Sequence, residues 1–202
     1  MAGAASSDAA TGLDALLREV RACRHCEAHL PLGSRPVLRA SMTARLLIAS
    51  QAPGTKVHET GIPFNDPSGV RLRDWLAVEP ETFYDESRIA LVPMGFCYPG
   101  RDARGGDKPP RPECAPLWQP PIRAALPQVE LTLLVGLYAQ AFYLKKDRKA
   151  SLTETVRAWR DYLPTYLPLP HPSWRNTAWL KKNPWFEREL LPELRSRVHA
   201  LL

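Results

Sequence analysis

The chain lacks the features that mark membrane-spanning, secreted and repeat proteins. None of its apolar runs, within 202 residues, is long enough for a membrane-spanning helix. The segment from Met1 to Gly12 lacks the basic region and following apolar stretch of a secretory signal. No internal repeat is visible, and this length suits one domain. We therefore expect a cytoplasmic protein without a membrane partner, with a flexible N-terminus at 1–12 and one domain at 13–202.

Acidic residues are the scarcer charged class. The 21 Asp and Glu residues are outnumbered by 27 Lys and Arg residues, which gives a formal net charge of +6. Hydrophobic residues make up 45% of the chain and charged residues 24%, an ordinary composition for a globular protein. The positive excess suits a polyanionic partner such as nucleic acid, although many basic proteins bind none.

Apolar runs alternate with amphipathic segments along the chain. The predicted strands are 45–50, 88–93, 130–135 and 165–169. The predicted helices are 13–20, 68–76, 116–126 (broken by prolines), a segment after Gly136, 152–162 and 184–202. Prolines in the last strand place it at a sheet edge. Strands separated by helices predict an α/β fold, a three-layer α/β/α sandwich with a central four-stranded parallel sheet.

Polar and glycine-containing loops follow the predicted strands. Ligands of parallel sheets bind beyond the carboxyl ends of the strands. The four loops expected at that edge are 51–54, 94–97, 136–138 and 171–176. We therefore expect the functional site where these loops meet.

Cysteine is also rare, and the four present have a suggestive spacing. They are Cys23, Cys26, Cys97 and Cys114. The first two form a C-x2-C pair, and disulfides are rare in the cytoplasm, so the pattern favours metal binding. Four thiolates suit either a tetrahedral zinc ion or an iron–sulfur cluster. The alternative is four free thiols packed as small apolar groups, which their polar neighbours Arg24, His25 and Glu113 disfavour.

Four further motifs occur in a fixed order along the chain. They are Ser50-Gln51-Ala52-Pro53-Gly54, Gly61-Ile62-Pro63-Phe64, Val135-Gly136-Leu137-Tyr138-Ala139 and His171-Pro172-Ser173. With the cysteine spacing, they resemble the iron–sulfur (family 4) uracil-DNA glycosylases from Leu16 to about Asn176. Each motif alone is weak, whereas the ordered set is specific.

The resemblance implies a DNA repair enzyme of base excision repair. Its substrate would be uracil-containing DNA, and the uracil would be flipped out before its N-glycosidic bond is hydrolysed. The four cysteines would hold a structural [4Fe–4S] cluster, with zinc as the alternative. The loop of Gln51, Ala52, Pro53 and Gly54 would contact the substrate, and we expect the protein to act as a monomer.

Individual side chains then take candidate roles. A flipped base needs an aromatic face and a dry pocket, and Phe64 is the candidate for that face. His171 is the candidate donor to uracil O2, where negative charge develops as the bond breaks. The DNA contacts would come from Ser173, Trp174, Arg175 and Asn176. Trp174 suits a wedge into the duplex or a buried anchor equally well.

Three positions depart from the family pattern. Gln51 replaces a Glu, Pro93-Met94 replaces the Asn that reads uracil, and Phe64-Asn65-Asp66 replaces Phe-Val-Gly. Our hypothesis is a rewired site in which Asp66 positions water or stabilises the oxocarbenium sugar, and Asn65 or Gln51 reads the base. Asp66 equally suits a helix cap.

Other interpretations stay open at this point. His58, between the Pro-Gly loop and Phe64, is a second catalytic candidate or an exposed loop histidine. The chain could excise another deaminated or damaged base, bind nucleic acid without cleavage, or be a zinc protein of unrelated function.

Overall fold

A parallel β-sheet forms the centre of the computed structural model, which describes residues 3–103 and 105–202. Its strands are β1 (Leu46–Ala49), β2 (Ile89–Leu91), β3 (Leu131–Val135) and β4 (Tyr166–Leu169). They lie in the order β2-β1-β3-β4, and all three neighbouring pairs are parallel. The predicted four-stranded parallel sheet is therefore confirmed, with β4 at the edge that its proline predicted.

Helices occupy the connections and the chain ends. The α-helices are α1 (Gly3–Ala22), α2 (Thr55–Thr60), α3 (Pro67–Leu76), α4 (Pro80–Phe83), α5 (Cys114–Ala124), α6 (Leu137–Leu144), α7 (Leu152–Arg157), α8 (Thr177–Lys182) and α9 (Leu191–Leu201). A π-helical turn, Phe186–Leu190, leads directly into α9. Short 3₁₀ turns adjoin several of these helices, among them Trp159–Tyr162 after α7 and Trp174–Asn176 before α8.

The strands are buried on both faces because alternate side chains enter different clusters. Leu46 and Ile48 of β1 join a cluster with side chains of α3 and α9. Leu47, the residue between them, joins a cluster with side chains of α1 and α5. Helices therefore cover both faces of the sheet, and the fold is the predicted three-layer α/β/α sandwich.

Two predicted helices differ from the structure. The predicted helix 152–162 ends at Arg157 as α7, and a 3₁₀ turn completes the segment. The turn lets Trp159 pack in one core cluster while Tyr162 packs in another. The predicted helix 184–202 begins instead with the π-helical turn.

The N-terminal segment is helical for most of its length. Helix α1 begins at Gly3 and so includes residues 3–12, where the sequence predicts a flexible N-terminus. Met1 and Ala2 lie outside the described residues. Within the part of the chain that the structure describes, no helix has the length and apolarity needed to cross a membrane.

Candidate active site

An open pocket of about 510 Å³ lies beyond the carboxyl ends of the strands. The Gln51 loop (residues 50–54) enters it directly after β1, and Pro93 enters it after β2. His171 follows β4 and packs against Gly136, which follows β3. Of the four predicted loops, 51–54 and 171–176 therefore meet in the pocket at one edge of the sheet, whereas residues 94–97 and 136–138 do not line it.

Backbone hydrogen bonds hold the Gln51 loop against residues 92–96, the segment that follows β2 and is called here the β2 extension. The carbonyl of Ser50 accepts from the N–H of Met94 at 2.8 Å, and the carbonyl of Gln51 accepts from Gly95 at 2.8 Å. Gly54 then caps the N-terminus of α2 in an extended conformation. The loop thus has a fixed backbone, and Gln51, Ala52, Pro53 and Gly54 all line the pocket.

Phe64 reaches the pocket from a strained backbone. Its φ of 55° lies in the left-handed region, which bulky residues rarely adopt. Gly69 makes this possible, because a side chain there would overlap the carbonyl of Phe64. The Phe64 ring packs edge-on against Phe83 with 5.9 Å between centroids. An aromatic surface is thereby presented at the pocket from a rigid support.

Asp66 both caps a helix and lines the pocket. It has extended backbone angles, and its Oδ1 accepts from the N–H of Gly69 at 2.9 Å. Its negative charge favours protonation of His171 and so opposes the lowering of that histidine's pKa. The structure therefore supports the capping interpretation and places the carboxylate within electrostatic reach of His171.

His171 is held in its neutral form. Burial in the protein lowers the pKa of His171 to about 4, despite the opposing charge of Asp66. The N–H of Ser173 donates to Nδ1 at 3.2 Å, which assigns the ring proton to Nε2. Asn176 donates to the His171 carbonyl at 2.7 Å. The pocket thus contains a fixed imidazole whose Nε2–H is a hydrogen-bond donor.

The segment after His171 forms an exposed rim. Trp174 is 71% exposed, and the guanidinium of Arg175 lies 5.8 Å from the centre of its ring. The hydroxyl of Ser173 caps this turn by accepting from the N–H of Arg175. Trp174 is therefore not a buried anchor, and its role as a wedge stays a prediction.

Two sequence candidates lie outside the pocket lining. His58 packs near the Tyr98 ring with 6.0 Å between centroids, and its buried Nδ1 has no hydrogen-bond partner among the described residues. Burial, then the charge of Arg35, lowers the pKa of His58. Asn65 donates its backbone N–H to Ile62 and is also outside the lining. The structure does not bring either side chain to the site.

The pocket wall also contains a carboxylate that the sequence does not predict to be there. Asp107 is in the connection between Cys97 and Cys114, and its Oδ2 is 3.6 Å from the position that a Cβ on Gly54 would occupy. Although the residue is exposed, partial burial of its carboxylate raises the pKa of Asp107, and Arg101 and Arg175 oppose this rise. The sequence signal for Asp107 is the Gly105-Gly106 pair. It predicts a turn that brings the charged residues on either side of it together.

Pro93 lies in the pocket wall where the family pattern has its base-reading Asn. Its carbonyl accepts a hydrogen bond of 2.7 Å from the buried side chain of Gln119. Proline has no backbone N–H and no polar side chain, so it cannot donate to a base. Position 93 therefore lies in the pocket wall and offers no hydrogen-bond donor to a base.

The four cysteines line a second, small pocket. Cys23 and Cys26 follow α1, Cys97 follows the extension, and Cys114 begins α5. Burial raises the pKa of Cys97 to about 11 and that of Cys114 to about 12, and the neighbouring cysteines add to both rises. The sequence-predicted metal residues are thus brought together.

The described residues contain no group of three or more His, Cys, Asp or Glu side chains arranged to hold a metal ion. Around a single zinc ion, four thiolates would converge on one point. In an iron–sulfur cluster each thiolate binds a different iron, so the sulfurs stand further apart. The four-thiolate donor set fits the cluster in its chemistry, and the nature of the bound group stays a proposal.

The comparison with protein families covers both the fold and this pocket. Residues 39–195 match the family model described as the Uracil DNA glycosylase superfamily. The matched region begins before β1 and ends within α9. It includes the Gln51 loop, Phe64, Asp107 and His171, and begins after Cys23 and Cys26.

Proposed function

Because the chain belongs to the uracil-DNA glycosylase superfamily, we propose that it flips uracil out of DNA and hydrolyses the bond between base and sugar, leaving an abasic site. One observation carries the proposal. The Gln51 loop, Phe64 and His171 line a single pocket at the carboxyl edge of the sheet. These are the side chains that a flipped base requires, namely an aromatic surface, a polar loop and a hydrogen-bond donor.

His171 supplies the electrostatic part of catalysis. As the bond between sugar C1′ and uracil N1 breaks, its electron pair stays on the base and negative charge grows at O2. The neutral imidazole donates its Nε2–H to that oxygen, and Ser173 holds the ring in the required tautomer. Since the His171 pKa is about 4, the ring is neutral near pH 7 and acts as a hydrogen-bond donor through Nε2–H.

Asp66 acts on the sugar through its charge. The deoxyribose becomes cationic as the base departs, and a carboxylate in the pocket favours that cation. Because Asp66 Oδ1 is held by the Gly69 N–H, the charge has a fixed position. Gln51, whose side chain offers both a donor and an acceptor, takes the base-reading role that Pro93 cannot perform.

DNA binds across the rim above the pocket. Trp174 enters the space that the flipped nucleotide leaves, as apolar wedges do in other DNA-bending proteins. Arg175, with Ser173 and Asn176 on the same turn, contacts phosphates beside it. The net charge of +6 supports this polyanionic partner.

The four cysteines hold a [4Fe–4S] cluster in this proposal. When bound, the cluster supplies a structural crosslink between the end of α1, the β2 extension and the start of α5. Glu113, hydrogen-bonded to Arg111 at 2.7 Å, lies 4.0 Å from the sulfur of Cys26 and would contribute to the surroundings of the cluster. The cysteines lie outside the base pocket, so they would hold the cluster in a structural role.

Incubation with uracil-containing single- and double-stranded oligonucleotides tests the main proposal. Alkali then breaks the strand at each abasic site, and the expected result is a break at the uracil position. The same oligonucleotide with thymine at that position is the substrate control. A chain that produces no break in either substrate, with enzyme in excess, does not have the proposed activity.

A second candidate specificity follows from Pro93. Losing the Asn at this position removes the group that selects uracil in the family pattern, so another deaminated base is a candidate substrate. Oligonucleotides with hypoxanthine or xanthine, treated in the same way, distinguish the two. Cleavage of these bases at rates equal to uracil would assign the broader specificity.

A further inference from the structure

Asp107 brings a carboxylate to the Gln51 loop from a distant part of the chain. Its loop closes on itself, with the N–H of Asp102 donating to the Gly106 carbonyl at 2.7 Å. The N–H of Gly106 donates a hydrogen bond of 2.9 Å to Asp102 Oδ1. An antiparallel bridge between Arg101 and Asp107 completes the turn. This backbone places Asp107 Oδ2 beside Gly54. The distance from Oδ2 to the position that a Cβ on Gly54 would occupy is 3.6 Å.

Two arginines accompany this carboxylate. Arg101 lines the pocket beside it, and Arg175 donates to the Gly105 carbonyl at 3.2 Å. Both positive charges favour the ionised form of Asp107, while burial opposes it. A carboxylate that is partly stripped of water but kept ionised is a better proton acceptor than a fully solvated one.

Asp66 is less well placed to receive a proton. Its Oδ1 already accepts the cap hydrogen bond from Gly69. Protonation of Asp66 would weaken that charge-assisted bond and the start of α3. The two carboxylates also repel each other, because the charge of Asp66 raises the pKa of Asp107. The surroundings therefore suit Asp107, rather than the helix-capping Asp66, to proton transfer.

We propose that Asp107 is the general base of the reaction, and that it replaces the carboxylate absent from position 51. The proposal rests on the glycosylase function above. The C1′–N1 bond breaks with its electron pair on uracil, and a water oxygen bonds to C1′. The water gives one proton to the Asp107 carboxylate, which passes it to solvent, and the uracil anion takes up a proton. The products are uracil and an abasic site.

Single-turnover cleavage of a uracil oligonucleotide by Asp107→Asn tests the assignment. The expected result is a rate at least ~100-fold below that of the unaltered protein, the usual scale for a lost general base. Affinity for an oligonucleotide with non-cleavable 2′-fluoro-2′-deoxyuridine should stay within about twofold, because the substitution leaves the pocket shape intact. The Asp107→Glu variant retains a carboxylate and should recover part of the rate.

Glu19→Gln is the matched control, since it removes one negative charge from an exposed position on α1. It should cleave at the normal rate. Asp107→Asn cleavage within about threefold of normal, or a rate loss matched by an equal loss of affinity, would overturn the role of Asp107. An unaltered protein that releases no uracil would instead refute the glycosylase proposal itself, and the Asp107 assignment with it.

Discussion

The Nδ1 atom of His171 accepts a hydrogen bond of 3.2 Å from the backbone N–H of Ser173. The bond occupies the ring nitrogen that would otherwise be free to carry the proton, so the other nitrogen, Nε2, carries it. Because Ser173 is only two residues further along, the arrangement is local and survives changes elsewhere in the pocket. It makes the chemistry of His171 open to direct tests.

Removal of the His171 imidazole should slow cleavage strongly. We expect His171→Ala to lose about 10²- to 10³-fold in single-turnover rate, the cost of one preorganised donor to a developing oxyanion. His29→Ala, which alters an exposed histidine, is the control and should keep the normal rate. A His171→Ala rate within tenfold of normal would contradict the donor role.

His171 should also make stability depend on pH. In the unfolded chain its pKa returns to 6.5, whereas in the folded protein burial holds the pKa at about 4. As the pH falls from 6.5 towards 4, His171 becomes protonated in the unfolded state but stays neutral in the folded state. The free energy of unfolding should therefore fall by up to about 3 kcal/mol over this window.

Urea unfolding of the unaltered protein and of His171→Gln, at pH values from 4 to 7, measures this contribution. The difference between the two curves isolates His171 from the other titrating groups. We expect the curves to converge towards low pH. Parallel curves would show that His171 titrates alike in both states.

The two roles of Asp66 should separate by substitution. Asp66→Ala removes the N-cap and should lower the free energy of unfolding by about 1 kcal/mol, whereas Asp66→Asn still caps and should change it little. Both variants remove the charge, so both should cleave uracil more slowly. Urea unfolding and single-turnover rates provide the two measurements. Normal cleavage by Asp66→Asn would leave Asp66 with the capping role alone.

Gly69 should tolerate no side chain. A Cβ at this position would overlap the carbonyl of Phe64, so Gly69→Ala forces Phe64 or the start of α3 to move. We expect a loss of about 1–3 kcal/mol in unfolding free energy, the usual cost of overpacking, together with weaker binding of the base. Gly12→Ala meets no neighbouring atom and serves as the control. Equal stabilities for the two variants would mean that Phe64 adapts freely.

The purified protein should be brown and contain iron. Broad visible absorbance and about four irons per chain by elemental analysis are the expected results for a [4Fe–4S] cluster. Cys97→Ser and Cys114→Ser should each lower the iron content and the thermal stability, because they remove a thiolate ligand. Colourless protein with one zinc per chain would assign the four cysteines to zinc instead.

The sheet was predictable because its strands are continuous apolar runs that are buried on both faces. The boundaries of the helices were less predictable from the sequence. The segment from Leu152 to Tyr162 has helical periodicity, yet α7 ends at Arg157. Trp159 and Tyr162 pack into different core clusters, and this tertiary requirement decides the shape of the last turn.

Within the candidate site, the strand-end residues are predictable from the topology, Phe64 and Asp66 are predictable from the motifs, and Asp107 is predictable from neither. The Gln51 loop and His171 directly follow strands, so the topology alone places them together. Asp107 lies far from any strand, and its approach to Gly54 depends on the fold of a whole connection. The opposite case is His58, a catalytic candidate from the sequence that lies outside the pocket lining. It is close to the motifs in sequence, but α2 turns its ring towards Tyr98.

The hydrogen bonds from Met94 and Gly95 to the Gln51 loop link the strand-end pocket to the segment that leads to the cysteine pocket. Cys97 is only two residues beyond Gly95 along the same backbone. A change in the backbone position of Cys97 would therefore move the two N–H groups that hold the Gln51 loop, so the cysteine pocket and the strand-end pocket are mechanically coupled.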